Sequence, residues 1–319
     1  MVVTLEQMQK TTPDALDKKI IEKVRSKSYL LEKLPFVECA GDGFTTSIFY
    51  TYSRTVLNSS TDFRKFNEDY EINNAEIENY TTELKPFGGK FSIDRQFVDI
   101  GYISRVAYET DQKLNSIIGT FNDAIINGDS AVTDSFDGLD KSVTGTDTEV
   151  TTTLDISDRA GIEVNGNAFI DELCNTIDLL DGAPTAILLN KQTLGKIRSV
   201  AREQVSYTTD YNNLGTRIEM FDNIPLIDMG DVPGTAQQVI PVNADGTSDI
   251  WFVRFAPDGF HGLKKAGSST MIDIVYPKAE NNPDSVLVGR VEMIAGCALK
   301  STSAAAVLRG VQVQGAQGA

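Results

Sequence analysis

Between Val98 and Ile126 the apolar residues Ile103, Val106, Ala107, Leu114, Ile117, Ile118, Phe121, Ala124 and Ile125 fall close to steps of three and four. This is the stripe of a helix laid along a core, and at 1.5 Å per residue it predicts a rod of about 40 Å. The pattern stops at Asn127-Gly128. Both residue types tolerate the left-handed conformation that closes helices, so a left-handed Gly128 is expected there. A polar stretch then leads to Phe136-Asp137-Gly138-Leu139. Together Asn127, Gly128, Phe136, Gly138 and Leu139 predict a structural turn that ends the rod and re-anchors the chain.

On the N-terminal side, Pro13-Asp14 predicts a helix start, and Leu16, Ile20, Ile21, Val24 and Leu31 give an amphipathic segment over Asp14–Lys33. Two β-branched and aromatic runs, Ser47–Leu57 and Phe91–Phe97, read as strands. The excursion between them is too long for a hairpin turn and too rich in Phe63, Phe66, Tyr70, Ile72 and Tyr80 to be a plain linker. After a Thr-, Asp- and Gly-rich connection over 143–158, an α/β pattern begins. Helices are expected at Phe169–Leu180 and Gln192–Glu203, and strands at Thr185–Leu189, Ile224–Ile227, Ile250–Phe255, Met271–Val275, Val286–Leu299 and Ala305–Val311.

Composition narrows the class. The 319 residues can bury a sizeable core, and no apolar run approaches the roughly 20 residues needed to span a bilayer. The start carries no basic segment followed by an apolar one, so a cytosolic folding environment is expected. Three scattered cysteines and a single histidine, His261, give no disulfide framework and no metal-ligand spacing. The formal charge of −16 disfavours binding to the nucleic acid backbone. Charge is nonetheless unevenly spread. Leu16–Lys33 holds six basic residues against three acidic ones, and Asp62–Lys85 holds seven acidic against three basic.

Catalytic constellations are absent from the pattern. Gly88-Gly89-Lys90 lacks phosphate-loop spacing, no Gly-x-Ser-x-Gly elbow occurs, and His261 sits in a turn-rich segment without a nucleophile nearby. The carboxylates Asp210, Asp222, Asp228 and Asp231 lack the spacing of a calcium loop. No enzyme activity and no cofactor are expected; a soluble α/β enzyme is the least favoured class.

The order of Ile126-Asn-Gly-Asp129, Phe136-Asp-Gly-Leu139, Ala186-Ile-Leu-Leu-Asn190, Asn223-Ile-Pro-Leu-Ile227 and a late Ala-Ala-Val-Leu-Arg-Gly resembles the major capsid proteins of tailed bacteriophages, over about Phe44–Val311. The resemblance implies an α+β, Hong Kong 97-like capsid fold. Its parts would be an N-terminal arm (1–34), the start of a peripheral domain (35–52), an extended E-loop hairpin (53–85), and the peripheral domain with a long spine helix (86–149). An axial α/β domain (150–270), a return to the peripheral domain (271–296) and a final axial strand with tail (297–319) would follow. It also implies hexamers and pentamers in an icosahedral head that encloses double-stranded DNA without reading its sequence, assembled in the bacterial host cytoplasm. A separate scaffolding protein, a portal and a cement protein would be partners, with no membrane involved. Leu287 and Ile294 align where self-crosslinking relatives carry Asn and Glu, so noncovalent contacts are expected to hold the shell. Assembly contacts would come from the E-loop (Phe63, Phe66, Glu68, Asp69, Tyr70, Glu71, Ile72) and the arm (Lys18, Lys19, Lys23, Arg25), the basic arm of one subunit running near the acidic E-loop of another. An encapsulin-type compartment shares the fold and is the alternative.

Overall fold

The structure is a computed structural model, and it describes all residues except 1, 7–20, 26, 40–46, 58–60, 62, 73, 75, 100–102, 205–207, 212–216, 268–270, 278–284 and 316–319. Two mixed sheets and one separate hairpin organise the described residues.

The first sheet runs β1 (Val2–Val3), β2 (Phe36–Cys39), β12 (Phe260–Lys265), β14 (Val286–Leu299) and β13 (Ile272–Val275), with β5 (Lys85–Asp94) also paired to β14. Along β14 burial alternates through Met293 and then becomes continuous from Ala295 to Leu299. One face of the first half is open, whereas both faces of the second half are covered; the two-residue period of a strand makes this visible in the burial itself. The spine helix α3 (Ile103–Asn127) lies on β5 and β14, preceded by the short α2 (Arg95–Asp99). Its Leu114, Ile117, Ile118, Phe121 and Ile125 join Phe36, Phe91, Val291 and Met293 in the main core. Phe121 is fully buried, with the rings of Phe36, Phe87 and Phe136 at 6.3, 6.1 and 6.1 Å. A side chain of this kind contributes about 1.5–3 kcal/mol when removed from water.

The second sheet has the order β6 (Glu149–Thr151), β15 (Ala305–Gln312), β11 (Thr247–Val253), β7 (Ala186–Leu189), β10 (Ile224–Asp228), β9 (Arg217–Phe221) and β8 (Thr208–Tyr211). β7 is buried at every position and pairs in parallel with β10, the setting in which a strand reads as an unbroken apolar run. Helices α5 (Arg159–Asp178) and α6 (Lys191–Gln204) pack on each other and supply Phe169, Leu173, Ile197 and Val200 to a second core. On β11 the residues alternate between cores: Ile250 and Phe252 belong to the second, Trp251 and Val253 to the first. Asp222 and Asn223 take φ of 47° and 62° in the tight β9–β10 turn, as a primed hairpin turn requires.

Several sequence expectations shift. The spine begins at Ile103, with α2 as a separate element before it, and α5 starts ten residues ahead of the expected Phe169. Asp158 explains that start, because its side chain accepts from the N–H of Gly161 and caps the helix. The amphipathic segment over 14–33 is broken: residues 21–25 are helical, and Ser28 caps a new helix, α1 (Tyr29–Lys33), by accepting from Leu31 N–H. The segment around His261 is β12, not a turn. It pairs with β2 and β14 in the first sheet, so the chain returns there at Phe260, before residue 271.

Candidate assembly surfaces

β3 (Phe49–Leu57) and β4 (Glu76–Glu83) form an antiparallel hairpin that joins neither large sheet. Aromatic residues at its stem tie it to the body. Tyr52 is buried in a small core with Cys39, Leu84, Leu263 and Ala298, and stacks on Tyr80 and Tyr50 at 6.0 and 5.8 Å. The Arg54 guanidinium lies 4.3 Å from the Tyr80 ring centre, and its Nε donates to the Leu299 carbonyl at 2.8 Å. Burial raises the Tyr52 phenol above its ordinary value, with Arg54 opposing. Below the stem, the buried His261 meets Tyr50 edge-on at 5.6 Å and shares a 3.3 Å contact between Nδ1 and the Gly259 carbonyl; its Nε2 has no hydrogen-bond partner among the described residues. Burial pushes its pKa down to about 4, against the Gly259 contact.

The far end of the hairpin has local order but no apolar cover. The Arg64 Nη1 donates to the carbonyls of Lys65 and Glu68 at 3.3 and 3.1 Å while the guanidinium sits 5.2 Å from the Tyr70 ring, and Asn67 takes a left-handed φ of 71°. Phe63 and Phe66 are 107% and 97% exposed, Ile72 89% and Tyr70 62%. Glu68, Asp69 and Glu71 are exposed beside them. The sequence-predicted E-loop residues thus stand together at one end, with their apolar surface outside every core cluster of the described residues.

The joint at the end of the spine corrects the expectation for Gly128. Its φ is not in the left-handed region. Glycine is needed for space instead: a Cβ there would fall 2.3 Å from the carbonyl oxygens of both Ala124 and Phe136. One at Gly138 would lie 2.7 Å from the Ile126 oxygen. The two glycines let the backbones touch, Gly138 N–H donating to the Gly128 carbonyl at 2.8 Å. Asn127 Nδ2 donates to the Val239 carbonyl at 2.7 Å, and Phe136 and Leu139 are buried in the main core. Lys141 of α4 (Leu139–Val143) pairs with Asp129 at 2.5 Å and Asp137 at 3.1 Å, and holds the Asp129 carboxyl below its usual range.

The arm does not present its charges as expected. Arg25 is buried, near Glu6 and Glu32 of its own chain at 3.8 and 3.7 Å, and Lys23 pairs with Asp111 on the spine. The apolar Leu5, Ile21, Val24, Leu30 and Leu31 enter the main core, which draws Arg25 inward with them while Lys23 stays partly exposed. Lys18 and Lys19 lie outside the described residues. Sequence reasoning also missed two organising arginines. One is Arg54; the other is Arg309, which reaches Asp140, Asp249 and Glu149 and lies 5.4 Å from the Trp251 ring, joining α4 to the second sheet. A lone cation in the apolar run AAVLRGVQ was the available signal.

No family model and no curated protein matches the chain. Solved structures do. A chain of the holo-SrpI encapsulin complex from Synechococcus elongatus PCC 7942 superposes with a TM-score of 0.62 at 15% identity, over 91% of this chain and 90% of that one. The mixed helix-and-strand fold matches Hong Kong 97-like capsid folds. The capsid of an empty GTA particle matches at 0.57 and 11% identity over 90% and 91%. A structure described as Mycobacterium phage Bobi matches at 0.53 and 12% over 88% and 90%. At these identities the likeness concerns the fold. Among the described residues no helix is long and apolar enough to cross a membrane, and no cluster of His, Cys, Asp and Glu could hold a metal ion.

Proposed function

We propose that the protein is a shell-forming capsid subunit that self-assembles through its projecting hairpin. The observation that carries this reading is the apolar end of β3–β4, where Phe63, Phe66 and Ile72 lie almost wholly in water beyond a stem held firmly to the body. Individually placed exposed hydrophobics are ordinary, but a cluster of large ones on a projecting element marks an interaction site. Extended elements enlarge the contact between subunits without enlarging the core, which suits a closed shell of many copies.

The finer reading is the major head protein of a tailed bacteriophage, forming hexamers and pentamers around double-stranded DNA, with separate scaffolding, portal and cement proteins as partners. The net charge of −16 supports it, since an acidic subunit crowds a genome without gripping it. The superposition on an encapsulin favours a second reading, a compartment around protein cargo. Electron microscopy of the purified protein tests the shell. The contents divide the two readings: nuclease-protected double-stranded DNA supports a virion, a co-purifying enzyme supports a compartment, and a monodisperse monomer at every concentration would remove both.

A further inference from the structure

The two helices on the second sheet carry opposite charge on their exposed sides. α6 holds Lys191, Lys196, Arg198 and Arg202 against Glu203, in a chain of formal charge −16. Lys191, Arg198 and Arg202 are exposed and spaced seven and four residues apart, so they share one stripe. Gly195 falls on the same stripe, and a Cβ there would meet nothing within 4 Å. Arg198 Nε is oriented by Glu219 at 2.7 Å with its side chain 47% exposed, and Arg202 is held by the Arg198 carbonyl and Ser199 Oγ. On α5 the exposed charges are Arg159, paired with Glu163 at 3.2 Å, and then Asp171 and Asp178, which leave the C-terminal half of the stripe acidic.

One charge on each stripe opposes its own helix, although Arg202 sits favourably in the last turn of α6. Lys191 is the first residue of α6, where the positive end of the helix dipole disfavours a cation, and Asp178 is the last residue of α5, where the negative end disfavours an anion. α6 has no acid in its first turn and α5 no base in its last. Among the described residues no ion pair joins the two stripes within the chain. Asp171 and Asp178 are seven residues apart, as are Lys191 and Arg198, about 10.5 Å along each axis.

We infer that α6 of one subunit docks antiparallel on α5 of a second copy, with Lys191 beside Asp178 and Arg198 beside Asp171. This arrangement brings both pairs into register at once and sets opposite dipole ends together. Each subunit offers α6 to one neighbour and α5 to another, a head-to-tail contact of the kind that closes rings. The inference rests on the shell reading and names a contact within it.

Charge reversal tested in trans separates this contact from any effect inside one chain. Lys191→Glu with Arg198→Glu makes both stripes acidic; Asp171→Lys with Asp178→Lys makes both basic. At low salt each variant alone is expected to need at least a tenfold higher concentration to form particles while keeping the circular dichroism spectrum of the folded subunit; Arg198→Ala, which loses the pair with Glu219 without reversing the stripe, sets the change in melt that this loss alone brings. An equimolar mixture should assemble at a lower concentration than either variant alone, because acidic α6 then meets basic α5, and the reverse, at every contact of an alternating six-membered ring and at all but one contact of a five-membered one. Wild-type thresholds for either variant, or a mixture of folded subunits that assembles no better than the variants alone, would overturn the contact. An α6 variant that assembles normally but retains less nucleic acid would instead make α6 a polyanion site and also overturn it. Absence of particles from the wild-type chain would overturn the shell reading together with the contact.

Discussion

Replacing Phe63 and Phe66 together with Ser isolates assembly from folding. Exposures of 107% and 97% mean that neither ring loses water within the subunit, so their removal costs the fold nothing through burial. A surface substitution of this kind stays within about 0.5 kcal/mol. If both rings bury against a neighbour, each contributes about 1.5–3 kcal/mol, and the pair about 3–6 kcal/mol per contact. Even the lower figure changes an association constant by about a hundredfold, since 1.4 kcal/mol is a factor of ten. The assay is the fraction of sedimenting particles against subunit concentration, read beside a thermal melt of the unassembled protein. The expected outcome is an unshifted melt with an assembly threshold raised by about two orders of magnitude. An unchanged threshold would refute the hairpin as an assembly element, and a lowered melt would show that the rings serve the subunit itself.

Gly128→Ala should lower the stability of the subunit by about 1–3 kcal/mol, because the new Cβ has two carbonyl oxygens at 2.3 Å and a packed joint can yield only by moving backbone; a melt matching wild type would count against that close approach. Arg54→Ala should leave the two large cores intact but speed amide exchange through β4, since it removes the bond to Leu299 and the stacking on Tyr80. His261 should give the protein an acid-dependent loss of stability. Its folded pKa of about 4 lies below the ordinary 6.5, so the native state binds fewer protons than the unfolded one. Stability is then full above 6.5, falls as pH drops from 6.5 toward 4 by up to about 3 kcal/mol, and levels off below. His261→Gln should flatten this slope in denaturant titrations, and an unaltered slope would assign it to other groups.

Periodicity revealed the spine, which presents a regular face to a core, and apolar runs revealed β7, β14 and most of the second sheet. Both failed where the decisive contact is remote in sequence. Phe260–Lys265 looks like a turn because Pro257, Gly259 and Gly262 surround one histidine, yet β2 and β14 flank it and bury it. Gly262 is required there, since a Cβ would meet the Phe36 ring at 2.4 Å. At Gly128 the residue was legible and its reason was not: local rules favour a left-handed turn, whereas the actual constraint comes from Phe136 folding back onto the spine. The arm shows the same limit. Six cations suggested an outward-facing surface, but the apolar positions between them decide the docking and carry Arg25 inside. The hairpin tip was legible for the opposite reason, because large apolar residues in an acidic, patternless stretch have no core of their own to enter.

Stem and tip of the hairpin then have separable duties. β3 has nine residues, about 30 Å at 3.3 Å each, so a tilt of about 10° at the stem moves the far end by about 5 Å. That displacement is enough to carry a phenyl ring out of a complementary pocket. The angle is set by few contacts: the stacked Tyr50, Tyr52 and Tyr80, the Arg54 bond to Leu299, and the edge of His261 under Tyr50. A change at the stem should therefore disturb assembly without touching any residue that meets the neighbouring subunit. Changes at the tip should weaken the contact while leaving the angle unaltered. The aromatic stem gives the end its direction, and the uncovered rings at the end give the contact its affinity.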